Sequence, residues 1–346
     1  MKAKLLPMNR RAIHSRAVGL LLTLAAAMLL VLTGCSKKSG AQVSEPAHLQ
    51  VEIKTPFHFV AYGDTRFHDP KDTEAANSAV RVALVQAVAD TNPSFICFTG
   101  DIVYNGYDVD DWKVFDRETS VWREMKIPVY PALGNHDLHG SEKVALGNYF
   151  ERFPSLQKSR YYSMRAANTL LLVLDSSLEE TMAPQGQWLT DQLDHVPSDV
   201  DFVFVMDHHP PYTSSSDAKV FGGGHSARKS EQALANMLED RQAHAHFRIV
   251  VFSGHVHNYE RHEHGGVTYF VSGGGAAHAY PIERAKTDLF QSKEINYHYL
   301  LVEVNQHQLT ITMNRLDLTS GKPVWTKPDS VTITTPVPPA GTAAGH

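Results

Sequence analysis

The chain has 346 residues, of which 42% are hydrophobic and 20% are charged, a composition typical of globular domains and unlike that of disordered or fibrous proteins. The formal net charge is −5, and five of the 32 basic residues lie within the first 34 residues, where no acidic residue occurs. The remainder is therefore acidic, which excludes a protein that binds nucleic acid through a clustered basic face.

The first 35 residues have the organisation of an export signal. Residues 17–34 form an apolar stretch behind a basic start, and the tetrapeptide LTGC that ends at Cys35 follows the pattern of a bacterial lipoprotein signal. We therefore predict a signal peptide over 1–34, lipidation of Cys35, and a membrane-anchored protein that faces the periplasm, with Ser36 favouring the outer membrane. An uncleaved membrane helix is the alternative, because the 18 apolar residues are at the short end of a bilayer span, and it predicts the same side of the membrane.

Two flanking segments bound the predicted domain. Residues 36–54 are polar and mixed and predict a linker, and residues 334–346 predict a disordered tail. The domain then covers 55–333. Cys97, the one other cysteine, lies in an apolar run and predicts a buried thiol, so no intramolecular disulfide framework is available.

Within the domain, short runs rich in Val, Ile, Phe and Tyr alternate with longer amphipathic segments, which predicts an α/β fold. The predicted strands are 56–62, 94–99, 128–132, 169–175, 201–207, 247–253 and 267–272, and a late all-β portion covers 298–315 and 323–333. The predicted helices are 73–90, 111–125, 184–194 and 227–242.

Polar side chains follow five of these strands within a few residues of the carboxyl end. They are Asp64, Asp101, Asn135, His208 and His255. In α/β folds the ligand crevice lies outside the carboxyl ends of the strands, so we expect these side chains to converge on one site.

Five short segments carry these residues. They are GDTR at 63–66, GDIVY at 100–104, GNHD at 134–137, HHPPY at 208–212 and GHVH at 254–257. In this order they resemble the five motif blocks of the calcineurin-like metallophosphoesterases, over about residues 56–280. The resemblance implies a four-layer α/β/β/α sandwich with two central mixed β-sheets, and hydrolysis of a phosphoester at a two-metal centre.

The resemblance also implies a ligand set of carboxylate, amide, phenol and imidazole donors, which suits two cations that share one anion. His255 and His257, two apart on an extended segment, point to the same side and can serve neighbouring metals. In the implied set Asp101 bridges, the first metal is completed by Asp64, Tyr104 and His257, and the second is completed by Asn135, His208 and His255.

Two positions indicate a branch of this superfamily. Many members have a histidine ligand where this chain has Arg66, which stays protonated and cannot bind a cation. Tyr104 matches the tyrosinate that binds iron(III) in purple acid phosphatases; the alternative is a tyrosine that caps a strand through its hydroxyl. Arg66 also departs from the small residue usual in that branch, and it either clamps a phosphate oxygen or pairs with a surface acid such as Asp69.

The remaining site predictions concern groups beside the metals. His136, oriented by Asp137, would stabilise the transition state or protonate the leaving oxygen; the alternative is a structural turn residue. His209 would donate a hydrogen bond either to the phosphate or to a residue that supports a metal ligand. His225 lies in a glycine-rich loop where purple acid phosphatases have substrate-facing histidines.

We therefore expect an exported lipoprotein that hydrolyses phosphomonoesters like an acid phosphatase, with a metal-bound hydroxide as nucleophile and no nucleic-acid partner. The expected cofactors are two metal ions, iron together with iron, zinc or manganese. A phosphodiesterase acting on nucleotides or lipid head groups is the enzymatic alternative, and a non-catalytic surface-binding lipoprotein is the alternative from another class.

Overall fold

The computed structural model describes residues 46–215 and 225–335, and their buried runs form two mixed β-sheets. The strands are β1 (Ala47–Val51), β2 (Phe57–Tyr62), β3 (Ile96–Phe98), β4 (Val129–Pro131), β5 (Tyr162–Ala166), β6 (Thr169–Val173), β7 (Phe202–Met206), β8 (Arg248–Ser253), β9 (Tyr259–His264), β10 (Val267–Ser272), β11 (Tyr297–Asn305), β12 (Gln308–Asp317), β13 (Val324–Thr326) and β14 (Ser330–Thr334). The α-helices are α1 (Ser78–Asp90), α2 (Val109–Glu118), α3 (Ser120–Glu124), α4 (Glu142–Arg152), α5 (Gln185–Asp194) and α6 (Lys229–Gln242).

Each sheet contains both parallel and antiparallel strand pairs. The first sheet has the order β1-β5-β6-β7-β8-β10-β9, and β6, β7, β8 and β10 run parallel. The second has the order β13-β12-β11-β2-β3-β4, with β14 also paired to β12, and β2, β3 and β4 run parallel. The carboxyl ends of the parallel strands are followed by the loops that carry the polar residues of the predicted site.

The two sheets pack face to face through aromatic side chains. Phe59 of β2 makes an edge contact with Phe204 of β7, at 5.2 Å between ring centroids, and lies 6.4 Å from Phe252 of β8. Along β7 the side chains alternate: Phe204 joins this inter-sheet core, whereas Val203 and Val205 join a second core on the opposite face. The period of two thus lets one strand serve two apolar layers.

Helices cover the outer faces of both sheets. Leu189 of α5 and Leu234 of α6 pack in the second core against the first sheet, and Trp122 of α3 donates its indole N–H to the carbonyl of Val85 in α1 beside the second sheet. The predicted four-layer α/β/β/α sandwich is confirmed. None of the helices in the described ranges is long and apolar enough to cross a bilayer.

The structure corrects the predicted boundaries at both ends of the domain. Residues Ala47–Val51 lie in the predicted linker 36–54 but form β1, which pairs in parallel with β5, so the C-terminal part of that linker prediction is wrong. Thr334, the first residue of the predicted tail, ends β14. The signal peptide 1–34, Cys35 and the remainder of the tail from 336 lie outside the described residues.

Candidate metal centre

Loops at the carboxyl ends of strands from both sheets build one polar site. Asp64 follows β2 and Asp101 follows β3, whereas His208 follows β7 and His255 follows β8. Asp64, Asp101 and His255 have positive φ angles of 58°, 52° and 68°, a region that non-glycine residues seldom adopt. Backbone strain at several neighbouring polar residues is typical of functional sites.

Glycine at two positions allows these loops to approach closely. A Cβ atom on Gly134 would lie 2.2 Å from the backbone nitrogen of Asp101, and one on Gly254 would lie 2.5 Å from Oδ2 of Asp64. No side chain fits at either position without displacing an aspartate. The glycines of the predicted motifs are therefore required by loop packing around the site.

The first group of candidate ligands comprises Asp64, Asp101 and His257, whose ligand atoms all lie within 4.8 Å of one another. Oδ1 of Asp64 and Nε2 of His257 are 3.5 Å apart, and both are buried without a hydrogen-bond partner among the described residues. Nδ1 of His257 donates to the carbonyl of His278 at 2.8 Å, which leaves the lone pair on Nε2. This oxygen and this nitrogen are both buried, lack hydrogen-bond partners and face one another, so a cation could bind between them.

The second group surrounds Nε2 of His208. Nδ1 of His208 donates to the carbonyl of Thr99 at 2.8 Å, so the lone pair is again on Nε2. That nitrogen lies 3.0 Å from Oδ1 of Asn135, 3.2 Å from Nδ1 of His255 and 3.4 Å from Oδ1 of Asp101. Nitrogen and oxygen donors converging on one point suit a second cation, with Asp101 adjacent to both groups.

The pKa values of the two buried aspartates, Asp64 and Asp101, are shifted in opposite directions. Burial, together with the charge of Asp101, raises the pKa of Asp64 well above its ordinary value, because the carboxylate lacks a sufficient counter-charge. Burial also raises the pKa of Asp101, but its interactions with His208, Arg66 and His136 outweigh this and hold it well below its usual range.

Burial acts in the opposite direction on the histidines. It lowers the pKa of His208, and it lowers the pKa values of His255 and His257 well below the ordinary value. All three imidazoles are therefore neutral at physiological pH, which is the form that binds a metal ion.

Tyr104 packs beside His136, whose Nε2 lies 4.0 Å from Oδ2 of Asp101. Its ring is tilted against those of His68, at 4.9 Å between centroids, and His136, at 5.1 Å. Within the described ranges its hydroxyl forms no hydrogen bond to a backbone group, so the contacts do not support a strand-capping role. Its function as a metal ligand stays a prediction.

Arg66 contacts the central carboxylate. Its Nη2 and Nε lie 3.0 and 3.3 Å from Oδ2 of Asp101. The surface acid considered as an alternative partner, Asp69, instead accepts from the backbone N–H of Lys71. The guanidinium is thus inside the candidate centre.

The prediction that Asp137 orients His136 is wrong. The Asp137 carboxylate accepts the backbone N–H groups of Ile102, Val103 and Gly134 at 2.9, 3.2 and 2.9 Å, and so holds two loops together. Nδ1 of His136 instead donates to the carbonyl of Tyr104 at 2.7 Å. Burial lowers the pKa of His136 to about 4, so its ring is neutral near pH 7 and its Nε2 carries a lone pair, 4.0 Å from Oδ2 of Asp101.

The other two predicted histidines surround His255. The ring centroid of His209 is 4.2 Å and that of His225 is 3.9 Å from that of His255. Nδ1 of His209 lies 2.7 Å from the hydroxyl of Ser176, which places one of its nitrogens against a group outside the candidate ligand set. All twelve predicted site residues therefore come together, although Asp137 does so in a different capacity.

Sequence reasoning missed the residues that position these groups. His68 packs against Tyr104 with its ring tilted, and Arg81 donates to the backbone carbonyls of both Arg66 and His68 at 3.2 and 3.1 Å. Arg81 is buried and paired with Glu118, an arrangement that a lone arginine in a predicted helix does not reveal. The sequence shows neither that Arg81 is buried nor that it faces the loop of Arg66, so this positioning role could not be predicted from it.

A further cluster of ligand-type side chains, Glu260, His262 and Asp288, lies in the described part of the chain. Its oxygens already have partners: Glu260 accepts from the backbone N–H of Ser214, and Asp288 accepts from Arg284 at 2.8 Å. The guanidinium supplies the positive charge there, and the buried atom without a hydrogen-bond partner is Nδ1 of His262 and not a carboxylate oxygen.

Known proteins share the sequence and the fold. The family model described as calcineurin-like phosphoesterase matches residues 57–259. Purple acid phosphatase 1 of Ipomoea batatas is 26% identical over 188 residues, covering 49% of this chain and 37% of that protein. Phosphoenolpyruvate phosphatase of Allium cepa is 25% identical over 206 residues, covering 54% and 40%. The matched stretches thus span about two fifths of these relatives.

A solved structure has the same architecture. Purple acid phosphatase PPD1 from yellow lupin (Lupinus luteus) seeds superposes with a TM-score of 0.62 at 15% identity, covering 82% of this chain and 54% of that one. At this identity the likeness concerns the fold.

Proposed function

Since the chain belongs to the calcineurin-like phosphoesterase family and has purple acid phosphatases among its relatives, we propose that it is a metal-dependent hydrolase of phosphoesters. The observation that carries the proposal is the pair of unpartnered buried atoms, Oδ1 of Asp64 and Nε2 of His257, beside Asp101. Buried polar atoms without hydrogen-bond partners destabilise the fold, so their presence favours a metal-dependent enzyme over a non-catalytic binding lipoprotein.

The residues assign themselves to two metal positions by proximity. Asp64 and His257 form the first position, Asn135, His208 and His255 form the second, and Asp101 adjoins both. Tyr104 is assigned to the first position by the family resemblance. When bound, two metal ions would polarise the phosphoryl oxygens and provide a nucleophile from water at neutral pH. Iron with iron, zinc or manganese matches the donor types, with a phenolate favouring iron(III) in the first position.

The chain's own groups supply orientation and proton transfer. Nε2 of His136 carries a lone pair, since Nδ1 donates to a backbone carbonyl, and it would have to take up a proton before it could protonate the leaving oxygen. The Arg66 guanidinium, 3.0 Å from Asp101, is within reach of a phosphate oxygen bound at the metals. His209 and His225 lie next to His255 and would donate hydrogen bonds to the substrate.

We further propose that the enzyme works outside the cytoplasm as a lipoprotein anchored through Cys35, with residues 36–45 as the tether before β1. An acid-phosphatase-like monoesterase that releases inorganic phosphate there is the first assignment. A phosphodiesterase acting on nucleotides or lipid head groups is the second, because the loops that contact the leaving group differ between such enzymes.

The experiment that tests this assignment compares hydrolysis of an aryl phosphomonoester with that of the matching aryl phosphodiester by one metal-loaded preparation. We expect kcat/KM to be at least tenfold higher for the monoester. A higher value for the diester supports the second assignment. No hydrolysis of either ester by protein that contains two metal ions would contradict the enzymatic proposal.

A further inference from the structure

A serine in the loop after β6 reaches the candidate metal centre. The strand β6 pairs in parallel with β7, so its carboxyl end lies at the same edge of the sheet as the loop of His208 and His209. Ser176 follows β6 and is 2% exposed. Its Oγ lies 2.7 Å from Nδ1 of His209 and 3.2 Å from the backbone nitrogen of the same residue. One buried hydroxyl thus contacts a histidine of the site at two atoms.

Two helices hold this loop in place. Nη2 of Arg228 donates to the carbonyl of Ser176 at 2.6 Å, and Nε of Arg228 donates to the buried carboxylate of Glu231 in α6 at 2.8 Å. On the other side, the backbone N–H of Asp175 donates to Oε1 of Gln185 in α5 at 2.9 Å, and the Gln185 amide donates back to the Asp175 carbonyl at 3.1 Å. The position of the serine is therefore fixed by the fold.

The proton of the Ser176 hydroxyl determines the tautomer of His209. A serine hydroxyl has one proton to donate and two lone pairs that accept. The backbone N–H of His209 donates to Oγ of Ser176. Among the residues that the structure describes, Nδ1 of His209 is the remaining partner of that oxygen, so it is the acceptor of the hydroxyl proton. A proton on Nδ1 would leave a buried hydroxyl proton without an acceptor, which is unfavourable.

His209 consequently has the tautomer opposite to that of two proposed metal ligands. Nδ1 of His208 and Nδ1 of His257 each donate to a backbone carbonyl, which leaves their lone pairs on Nε2. In His209 the lone pair is on Nδ1 and the proton is on Nε2. Its ring packs against that of His255, at 4.2 Å between centroids, and the residue is partly exposed. An N–H donor at this place suits an oxygen of an anion and cannot bind a cation.

We propose that Ser176 is a positioning residue that holds His209 with its proton on Nε2, so that His209 donates a hydrogen bond to a phosphoryl oxygen of the substrate. The serine acts through the histidine and does not itself touch the substrate. This inference rests on the proposed hydrolysis of phosphoesters and names the residue that orients one of its substrate donors.

The first test observes the tautomer directly. The zinc-loaded protein is labelled with ¹⁵N in its histidines, and the ring signals of His209 are identified by their loss in His209→Phe, which keeps a ring against His255. We expect a proton on Nε2 of His209 and none on Nδ1 in the wild type. In Ser176→Ala this preference should be lost. A proton on Nδ1 in the wild type overturns the inference, even if Ser176→Ala does not fold.

The second test measures the dissociation constant of inorganic phosphate by calorimetric titration of the zinc-loaded protein, which does not depend on turnover. Ser176→Ala should raise this constant about tenfold, the effect expected for losing a hydrogen bond to a charged group, with zinc content unchanged. His209→Phe should raise it by a similar factor. In the His209→Phe background, Ser176→Ala should add less than about twofold, because the serine then has no donor to orient.

The matched control is Ser163→Ala. The Ser163 hydroxyl lies 2.7 Å from Nδ1 of His48, which is the same kind of contact outside the proposed site, so phosphate binding should be unchanged. An unchanged constant in folded Ser176→Ala overturns the inference, and so does an effect of Ser176→Ala that persists in full in the His209→Phe background. A wild type that holds two zinc ions but binds no phosphate contradicts the proposed function itself, and the inference with it.

Discussion

The hydrogen bonds of single histidines decide which nitrogen is available at the centre. His208 and His257 each donate from Nδ1 to a backbone carbonyl, of Thr99 and His278 respectively. Their Nε2 atoms are consequently the unprotonated ones, and both face carboxylate oxygens. Backbone carbonyls fixed by the surrounding loops thus preset the tautomer that metal binding requires.

Tyr104 is the residue on which the proposed iron chemistry depends. A phenolate bound to iron(III) gives a visible charge-transfer band, so oxidised, iron-loaded wild type should be coloured. Tyr104→Phe should lose the band and bind iron more weakly, while activity with divalent metals falls but need not vanish. The measurement is an absorption spectrum after matched iron loading.

Tyr107→Phe is the matched control, because Tyr107 is 48% exposed and outside the proposed ligand set. Its colour should equal that of the wild type. A colourless wild type with stoichiometric iron(III) would remove Tyr104 from the ligand set.

At this scale the sequence predicted which side chains converge, because motif residues after parallel strands share one edge of a sheet. It did not predict the partner of Asp137 correctly. That carboxylate turns towards three backbone N–H groups of neighbouring loops, a geometry set by the turn at His136–Leu138 and by the approach of the loop after β3. Such contacts depend on loop conformation, which side-chain type alone does not specify.

At the scale of elements, close loop packing around Gly134 should be essential. Gly134→Ala would put a Cβ 2.2 Å from the Asp101 backbone nitrogen, and we expect a loss of about 1–3 kcal/mol in the free energy of unfolding together with loss of metal. Chemical denaturation and metal analysis measure the two effects.

Gly147→Ala is the matched control. Gly147 lies within α4, and an added Cβ there meets no atom within 4 Å. We expect it to stabilise the protein by about 0.5–1 kcal/mol, because alanine favours a helix interior, and to leave metal content unchanged. Equal behaviour of the two variants would contradict the loop-packing argument.

A buried acid next to α5 should make stability depend on pH. Glu180 is fully buried, both its carboxylate oxygens lack partners among the described residues, and burial with the charges of Asp207 and Glu231 raises its pKa to about 9. Arg228 bonds mainly to Glu231 and lies 3.7 Å from Glu180. In the unfolded chain Glu180 ionises near its ordinary pKa of 4.5, so stability falls as pH rises from about 4.5 towards about 9.

Glu180→Gln removes this dependence, since glutamine is neutral throughout. We expect the variant to be more stable than the wild type by about 1–3 kcal/mol at pH 8 and nearly equal at pH 5, measured by urea unfolding at both values. Glu179→Gln, at an exposed neighbouring position, should show no such difference. A Glu180→Gln variant that is less stable at pH 8 would show that the carboxylate is needed in its charged form.

The strands that the sequence missed share a physical cause. The strands β1, β5 and β9 carry polar or charged residues and lie at or near an edge of the first sheet, with β9 paired to β10 alone and β1 paired to β5 alone. Pairing with an already buried neighbour, and not intrinsic preference, makes such segments strands. The apolar central strands were predictable, because both of their faces are covered.

At the scale of the whole molecule, two sheets contribute to one centre because their parallel strands deliver loops to a common place. The second sheet supplies Asp64, Asp101 and Asn135, and the first supplies His208 and His255. The sequence alone predicted the α/β class, whereas the two-sheet sandwich followed from the family resemblance. Sheet membership could not be predicted from periodicity, since it arises from long-range pairing.

Membrane attachment should be separable from catalysis. Cys35→Ser removes the predicted lipidation site, and β1 begins only at Ala47, so we expect the variant to hydrolyse phosphoesters normally in a detergent-free soluble fraction. Ser36→Ala, which keeps the cysteine, should remain with the membrane pellet. Retention of Cys35→Ser in the pellet would indicate that residues 17–34 span the membrane instead.

We propose that two metal ions held around Asp101 perform the hydrolysis. The most direct measurement treats the purified protein with a chelator, restores zinc in steps, and records bound zinc per chain together with hydrolysis of an aryl phosphomonoester. We predict that chelation abolishes the activity, that it returns with the second ion, and that Asp101→Asn binds fewer than two ions and loses at least about 10³-fold in kcat, because the shared carboxylate offsets the repulsion between the cations. Full activity in metal-free protein, or near-normal turnover by Asp101→Asn with two ions retained, would contradict the account.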